Sequence, residues 1–600
     1  MSLPDTSLPQ SPALKRKAGS QGLLPFTKTV PSSDDYDMYP AYTLTTAIMY
    51  SGYDLLVDRM LENKRIIIDG YHGIDWSVVR DALNKSFFKK SQQVCWHEMT
   101  DLLKEEQEIE KLVKPFLGEP SSVWGRIASL DLADFYQRKL IDGLDETCTD
   151  DKLDILIGTG AALVAWDAPV IYFDLPKNEV QYRMRGGSIT NIGSSHTRDP
   201  AAMYKRSYFV DWIVLNKHKE KILPRIEIIA DGQHGERLNW LFMDELRKEI
   251  AAMVKGSVRV RQWFEPGAWG GQWLKQHVPG IPQQEINYAW SFELIVPENG
   301  VLFEQDGRLL EIAFDWLMLL QYESILGKDA VTFGTLFPIR FDFLDTFDGA
   351  NLSIQCHPSL DYIREHFGEV ITQDETYYIL DAKEDASVYL GFKENIEPSI
   401  FREELELSQS KGTTVAIDKY IQRHPSRKHD FFLIPNGTVH SAGKNNLVLE
   451  ISATPYIYTF KMYDWLQRDL TGNLRPINID HAFRNLHFER KGLCVEEELI
   501  SRPAILEQGD NWQLIHLPTH SQHFYDVHRI EFTDSISVLC NDQLHVLMLV
   551  EGTALIVETA NGHAQRYHYA ETFFIPAAAE KYTLVNTTGH PVKVIKAFIK

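Results

Sequence analysis

The sequence predicts a multidomain α/β plus β protein: a mostly parallel α/β sheet in the first half, then one or two β-rich barrels or jelly rolls with a helical insertion. Three observations carry this. A chain of 600 residues is about four times the usual single-domain length, so two to four domains are expected. Up to about residue 240, short aliphatic runs ending in Asp or Gly alternate with longer amphipathic stretches. From about residue 250, Trp and Gly punctuate the chain and short strand-like pieces separated by turn residues take over. The boundaries read as a loose tail over 1–40, an α/β domain over 41–245, a β-rich domain with a helical segment over 250–490, and a second β-rich domain over 491–600.

The predicted parallel strands are Arg65-Ile-Ile-Ile-Asp69, Asp154-Ile-Leu-Ile157, Pro169-Val-Ile-Tyr-Phe-Asp174 and Arg225-Ile-Glu-Ile-Ile-Ala230. Their near-continuous apolar character fits strands covered on both faces by helices. Downstream, strands are predicted at Asn351–Gln355, Tyr377–Leu380 and Leu447–Glu450, with a helix over Leu309–Gln321, where apolar residues crowd every face. In the last hundred residues, Leu547–Val550, Ala554–Val557 and Thr572–Ile575 are separated by Gly and Asn turns and read as strands.

Sixty-one Lys and Arg against 83 Asp and Glu leave a net charge of -22, which repels polyphosphate backbones and anionic lipid. Nucleic acid and membrane are therefore not expected as partners, whereas a small anion can still be held by a local basic cluster. Cys95, Cys148, Cys356, Cys494 and Cys540 are odd in number and never arranged as CxxC, so neither a disulfide framework nor a thiolate zinc site is expected. The opening residues lack a basic start and apolar core, and no run reaches the roughly 18 apolar residues that span a bilayer. The expectation is a soluble cytoplasmic protein; its oligomeric state stays open.

Ile66-Ile-Ile-Asp69-Gly70-Tyr71-His72-Gly73-Ile74-Asp75-Trp76-Ser77 is a strand, a Gly-containing turn and a helix start. It resembles the phosphate loop of uridine-kinase-like P-loop nucleoside kinases, in which backbone amides cradle phosphates and a Lys neutralises them. Here Trp76 stands where the Lys belongs and Asp75 where a third Gly usually sits. A carboxylate repels phosphate and an indole cannot replace an ammonium, so the domain is expected to be a degenerate scaffold. Asp174-Leu-Pro-Lys177 and Tyr182-Arg183-Met184-Arg185 resemble the strand and lid of such kinases, with both Arg read as exposed structural charges.

The informative chemistry lies further on. Strand alternation puts Gln355 and His357 on one face, Asp374-Glu375 supplies a carboxylate at a strand entrance, and the Pro435-Asn-Gly437 turn presents His440. Two imidazoles, a carboxylate and an amide oxygen make a mixed nitrogen and oxygen set that suits zinc. Any one buried His is more often a hydrogen-bonded core residue than a ligand, so the weight rests on the ordered set.

These pieces, in this order, resemble the class I mannose-6-phosphate isomerases, zinc enzymes of the cupin fold. Leu352-Ser-Ile-Gln-Cys-His-Pro358, Asp374 to Leu380, Pro435 to His440, Leu447-Val-Leu-Glu450 and Phe460-Lys-Met-Tyr-Asp464 resemble the family's successive motifs, with Trp269-Gly-Gly271 and Trp290-Ser-Phe-Glu293 upstream. The resemblance covers about residues 250 to 600. It implies two cupin domains, one zinc ion held by Gln355, His357, Glu375 and His440, and interconversion of mannose 6-phosphate and fructose 6-phosphate through an enediol. Glu450 is then the proton-handling carboxylate, Ser353 lies near substrate, and Lys461, at the family's Arg, with Arg468 attracts the phosphate and orients the sugar. Gln373 replaces a usual Lys, and Asp342 a usual basic residue with Arg340 two positions earlier, which leaves the sugar in doubt more than the reaction. A related isomerase or epimerase on another phosphosugar, and an inactive sugar-sensing scaffold, are the alternatives. The last domain offers His545 and has Lys581 in place of a ligand, so no metal is expected there, and His516, His520, His523 and His528 read as a His-rich interdomain loop.

Overall fold

The computed structural model describes residues 15–17, 19, 21–28, 35–120, 122–144, 152–455, 457–470 and 472–600. Most of the tail expected over 1–40, and Cys148, lie outside them. The chain divides into two compact units, one mainly residues 43–249 and 303–313, the other mainly 250–302 and 314–600.

The first unit is built on a seven-stranded sheet: β1 (Tyr50–Ser51), β2 (Arg65–Gly70), β3 (Val94–Glu98), β4 (Leu153–Ile157), β5 (Val170–Asp174), β6 (Ile226–Asp231) and β7 (Asn239–Phe242), in the order β1-β7-β6-β5-β2-β4-β3. The five strands β3, β4, β2, β5 and β6 are parallel, and β7 and β1 complete the edge antiparallel. Ile66 to Ile68 and Ile155 to Ile157 are buried, as the aliphatic runs require of strands covered on both faces. Helix α1 (Trp76–Lys89) follows β2 and helix α2 (Lys177–Arg185) follows β5.

The helix expected over Leu309–Gln321 begins later. Residues Arg308–Ala313 form a strand, and helix α3 runs Asp315–Leu326. In the first unit the carboxylates at the ends of β5 and β6 fix this strand: Asp174 accepts from the Ala313 N–H (2.6 Å) and Asp231 from the Glu311 N–H (2.9 Å). Tertiary hydrogen bonds here override an apolar pattern that by itself does not separate helix from strand.

The second unit holds two sandwiches of antiparallel sheets. Its strands are β8 (Trp263–Glu265), β9 (Trp290–Leu294), β10 (Ile339–Asp345), β11 (Ile354–Cys356), β12 (Glu375–Ala382), β13 (Ser387–Phe392), β14 (Ile421–Pro425), β15 (Phe431–Ile434), β16 (His440–Ala442), β17 (Asn446–Ala453) and β18 (Phe460–Tyr463). They pair as one sheet of order β15-β12-β17-β10-β9-β8 and another of order β14-β13-β16-β11-β18. One core, including Tyr377, Ile379 and Val448 from the first sheet and Val388, Leu390 and Ala442 from the second, lies between them.

The second sandwich comprises β19 (Ala504–Gln508), β20 (Trp512–Leu517), β21 (Tyr525–Phe532), β22 (Ser535–Leu539), β23 (His545–Glu551), β24 (Ala554–Thr559), β25 (Ala564–His568), β26 (Thr572–Ile575), β27 (Lys581–Asn586) and β28 (Val592–Ile599). Sheets of order β19-β20-β21-β28-β23-β26 and β22-β27-β24-β25 face each other across Ile530, Leu547, Val594, Leu555 and Leu584. A closed barrel, the other form expected from sequence, is not made: among the described residues each sandwich consists of two open sheets joined by their cores rather than by a continuous ladder. No described helix is long and apolar enough to cross a membrane.

Candidate metal centre

Along the inner face of the first sandwich, register converts a core into a polar site within four residues. At one end Leu344, Val448 and Ile379 lie side by side on β10, β17 and β12. Two residues along, the row is Asp342, Glu450 and Tyr377, and two further it is Arg340, Ser452 and Glu375. Because side chains of one face recur every second residue, all nine point into the sandwich. On the facing sheet Gln355 of β11 has His440 of β16 as partner on one side and Lys461 of β18 on the other. His357 follows two residues after Gln355, on the same side.

The four residues predicted as a metal set therefore meet. Ligand atoms of His357, Glu375 and His440 lie within 4.8 Å of one another, and all three residues are buried. His440 Nε2 is 2.7 Å and His357 Nε2 3.2 Å from the Glu375 carboxylate, and the Gln355 amide nitrogen is 3.2 Å from His440 Nε2. The far nitrogens decide the protonation pattern. Nδ1 of His357 bonds the Tyr458 carbonyl (3.0 Å) and Nδ1 of His440 the Thr438 carbonyl (2.9 Å). A carbonyl only accepts, so each Nδ1 carries a proton and each Nε2 is the atom turned toward Glu375. Each Nε2 then stands at contact distance from a carboxylate oxygen in a buried space. Either both rings hold an extra proton, or a cation belongs between them.

Ser353, also buried, donates its hydroxyl to the Gln355 amide oxygen (2.8 Å). Amide oxygen and nitrogen exchange by a half-turn, and the exchanged form sends the oxygen toward the centre while the NH2 donates to Ser353. Burial pushes the Glu375 carboxyl up, but the imidazoles of His357 and His440 outweigh it and hold it well below the usual range. Burial also raises Asp342 to about 6, opposed by Arg340 and assisted by the charge of Glu375. Tyr377 Oη is buried without a hydrogen bond beside this group.

Glu450 sits on the inner face, ion-paired with Arg340 and accepting from the Ser452 hydroxyl (2.9 Å). Arg340 also lies 3.4 Å from Asp342. Lys461 projects beside Gln355, half-buried. Burial and then the Arg475 guanidinium pull its ammonium down to about 7, with Asp464 pushing back. Arg468 is placed differently: it is exposed on the loop after β18, its guanidinium bonded to its own loop at the Gly472 carbonyl (2.7 Å). The cation closer to Lys461 is Arg475, paired with Asp464 at 3.1 Å and largely buried. Sequence reasoning passed over Arg475, Ser452 and Tyr377; for Ser452 and Tyr377 the two-residue spacing from Glu450 and Glu375 was the available signal. Gln373, where a Lys was expected, is buried 3.4 Å from the Glu375 carboxylate.

The phosphate-loop-like turn of the first unit is filled from within. A Cβ on Gly70 would stand 2.5 Å from the Phe173 carbonyl oxygen and 2.8 Å from the Trp76 indole, so the indole occupies the hollow of the turn. Asp75 caps α1, accepting from the Val78 N–H (3.2 Å), and its carboxylate takes the helix end where an anion would bind. Arg183, read from sequence as exposed, is buried instead, donating to the Gly73 and Gln233 carbonyls (2.8 Å each) and pairing with Glu179. It braces the turn. Arg185 is exposed, as expected. The adjoining cavity of about 620 Å³ is bordered by Asp101, Glu105 and Glu106 against Lys104, a balance unfavourable to phosphate.

Comparison with known proteins adds the following. A family described as a domain of unknown function, DUF8485, matches residues 52–255. Mannose-6-phosphate isomerase ManA of Bacillus subtilis (strain 168) is 28% identical over 216 residues, 36% of this chain and 63% of the relative. The probable mannose-6-phosphate isomerase GmuF of the same organism is 23% identical over 328 residues, 54% of this chain and 94% of the relative. Its curated relatives are mannose-6-phosphate isomerases. The chain thus spans a little under two thirds of ManA. A crystal structure of the Bacillus subtilis mannose 6-phosphate isomerase superposes with a TM-score of 0.45 at 17% identity, covering 57% of this chain and 99% of that one.

Proposed function

We propose that this protein is a zinc-dependent aldose–ketose isomerase that interconverts mannose 6-phosphate and fructose 6-phosphate in the cytoplasm. In this reading the second unit carries two cupin-type domains, and the first is a kinase-like scaffold whose phosphate loop is closed. The carrying observation is the convergence of Glu375 with two Nε2 lone pairs whose opposite nitrogens are committed to carbonyls. That donor set, with the Gln355 amide oxygen, fits a divalent cation and little else. Gln355, His357, Glu375 and His440 would hold the ion. When bound, zinc acts as a Lewis acid toward a sugar oxygen.

The remaining work falls to this chain's own residues. Glu450 transfers the proton between C1 and C2, with Arg340 and Ser452 fixing its carboxylate. Lys461 attracts the phosphate, Arg475 adds charge beside it, and Arg468 contributes attraction from the rim. Ser353 orients Gln355 and lies close enough to the centre to meet a sugar hydroxyl. The sandwich walls exclude water from the enediol stage.

A second reading has specific support. Gln373 and Asp342 stand where the family resemblance expects positive charge, which favours a related isomerase or epimerase acting on another phosphosugar. The test is fructose 6-phosphate formation from mannose 6-phosphate, with and without chelator, in wild type and His440→Ala. Metal and turnover are expected to disappear together in the variant. Full turnover by a metal-free preparation would refute the mechanism, no turnover with this sugar but turnover in a panel of other phosphosugars would establish the second reading, and no turnover at all would leave an inactive sugar-binding scaffold.

A further inference from the structure

We propose that the mouth of the C-terminal sandwich binds a second first-row divalent metal ion through His516, Asp526 and His528. This inference stands apart from the reading of the first centre. His516 on β20 is the direct register partner of His528 on β21, and Asp526 precedes His528 by two residues on the same strand. The pleat therefore puts all three on one face, which further along carries Ile530 and Phe532 of the core. One ligand atom from each lies within 4.8 Å of the other two. The four histidines grouped by the sequence thus separate: His516 and His528 form this set, while His520 and His523 pair with each other at 6.0 Å between ring centres.

Two imidazoles and a carboxylate, all partly exposed, make a ligand set suited to iron(II), cobalt(II), manganese(II) or zinc. The ordinary alternative is a partly exposed His–Asp pair, since His516 Nε2 is 2.8 Å from the Asp526 carboxylate. That pair leaves His528 unexplained. Its Nδ1 is buried without a hydrogen bond, a cost that a metal bond would remove. Lys596, opposite His528 on β28, opposes a cation here, and the Asp526 carboxylate is the ligand whose charge offsets it. Ligands around one ion stand roughly 3 to 3.5 Å apart, a spacing that small rotations of these partly exposed side chains can reach. The other His–carboxylate set outside the first centre, Cys95, His97 and Asp154, is less suited because the Arg65 guanidinium is already 3.8 Å from Asp154.

The experiment uses the full chain, stripped with chelator and titrated with cobalt(II), read by calorimetry and visible absorption. Wild type is expected to bind two equivalents and His440→Ala one. In the His440→Ala background, His516→Ala with His528→Ala should weaken the remaining site at least a hundredfold, and Asp526→Asn at least tenfold, with far-UV circular dichroism unchanged. Asp526→Asn preserves shape and keeps the test open if the double substitution unfolds the sandwich. Cobalt bound by His440→Ala with affinity indifferent to all three substitutions, or no cobalt bound by that variant, would overturn the inference. A His440→Ala protein that keeps every equivalent of the wild type would instead count against the first centre.

Discussion

Lys461→Met separates the energetic cost of a buried ammonium from its use. The Lys461 ammonium titrates at about 7 in the folded chain, chiefly through burial, against about 10.4 for a free lysine. Between these values the unfolded chain binds a proton that the folded chain does not, so local stability rises with pH through this window and is flat below it. From about pH 6 to about pH 8.5 the gain is about 1.5 pKa units, or ~2 kcal/mol, equivalent to roughly thirtyfold in opening equilibrium. The methionine variant has no such slope. At about pH 6 it should be the more stable protein locally, by ~2 to 5 kcal/mol after allowing for partial exposure. The assay is hydrogen exchange by mass spectrometry over peptides covering β11 and β18, corrected for intrinsic rates, which reads local opening in a chain too large for two-state unfolding. The Michaelis constant for the phosphosugar is measured in parallel and should rise at least tenfold in the variant at low pH. Equal pH slopes in both proteins, or lower protection in Lys461→Met at low pH, would refute the argument.

Glu450→Gln should lower kcat by about two to four orders of magnitude while leaving bound metal unchanged, measured by turnover and metal analysis on one preparation. Asp342 is raised to about 6 by burial, so the folded state holds a proton that the unfolded state has released, and local stability should fall as pH rises from about 4 to 6; Asp342→Asn in chelated protein should abolish that fall, ~3 kcal/mol by hydrogen exchange over peptides covering β10. Arg468→Ala should change the Michaelis constant less than about threefold, because the side chain is exposed and bonded to its own loop, whereas Arg475→Ala should move the alkaline limb of the pH profile upward by releasing Lys461 from a repelling charge.

The convergence of the candidate ligands was legible because its determinants are local. Gln355 lies on β11 and His357 just past its end, two residues on, and a Pro-x-Gly turn delivers His440. The parallel strands of the first unit were legible for the same reason, as continuous apolar runs. What escaped depends on long-range register. Arg340 meets Glu450 across 110 residues, and nothing near either announces the pair. His516 and His528 became one set only when β20 and β21 aligned. Arg183 looked exposed from its charge, yet it satisfies two carbonyls of a turn and loop distant in sequence. The strand Arg308–Ala313 carried an apolar pattern compatible with a helix until Asp174 and Asp231 claimed its amides.

The polar end of the first sandwich supports the proposed ligand site in a second way. Asp342 Oδ1, His357 Nε2, Gln373 Oε1, Glu375 Oε1 and Tyr377 Oη are all buried without a hydrogen bond, and Asp342, Glu375 and Tyr377 lie in two adjoining register rows. Native interiors satisfy nearly all such atoms, and each failure costs about 1 to 3 kcal/mol. Two residues away, Leu344, Val448 and Ile379 show that the same strands can supply an ordinary apolar core. A chain that stops its core there and gathers acceptors instead accepts a local instability that a bound cation and a polyhydroxyl substrate would remove. Removing the cation should therefore loosen this end of the sandwich before the apolar end, because the core rows keep their partners whether or not the site is filled.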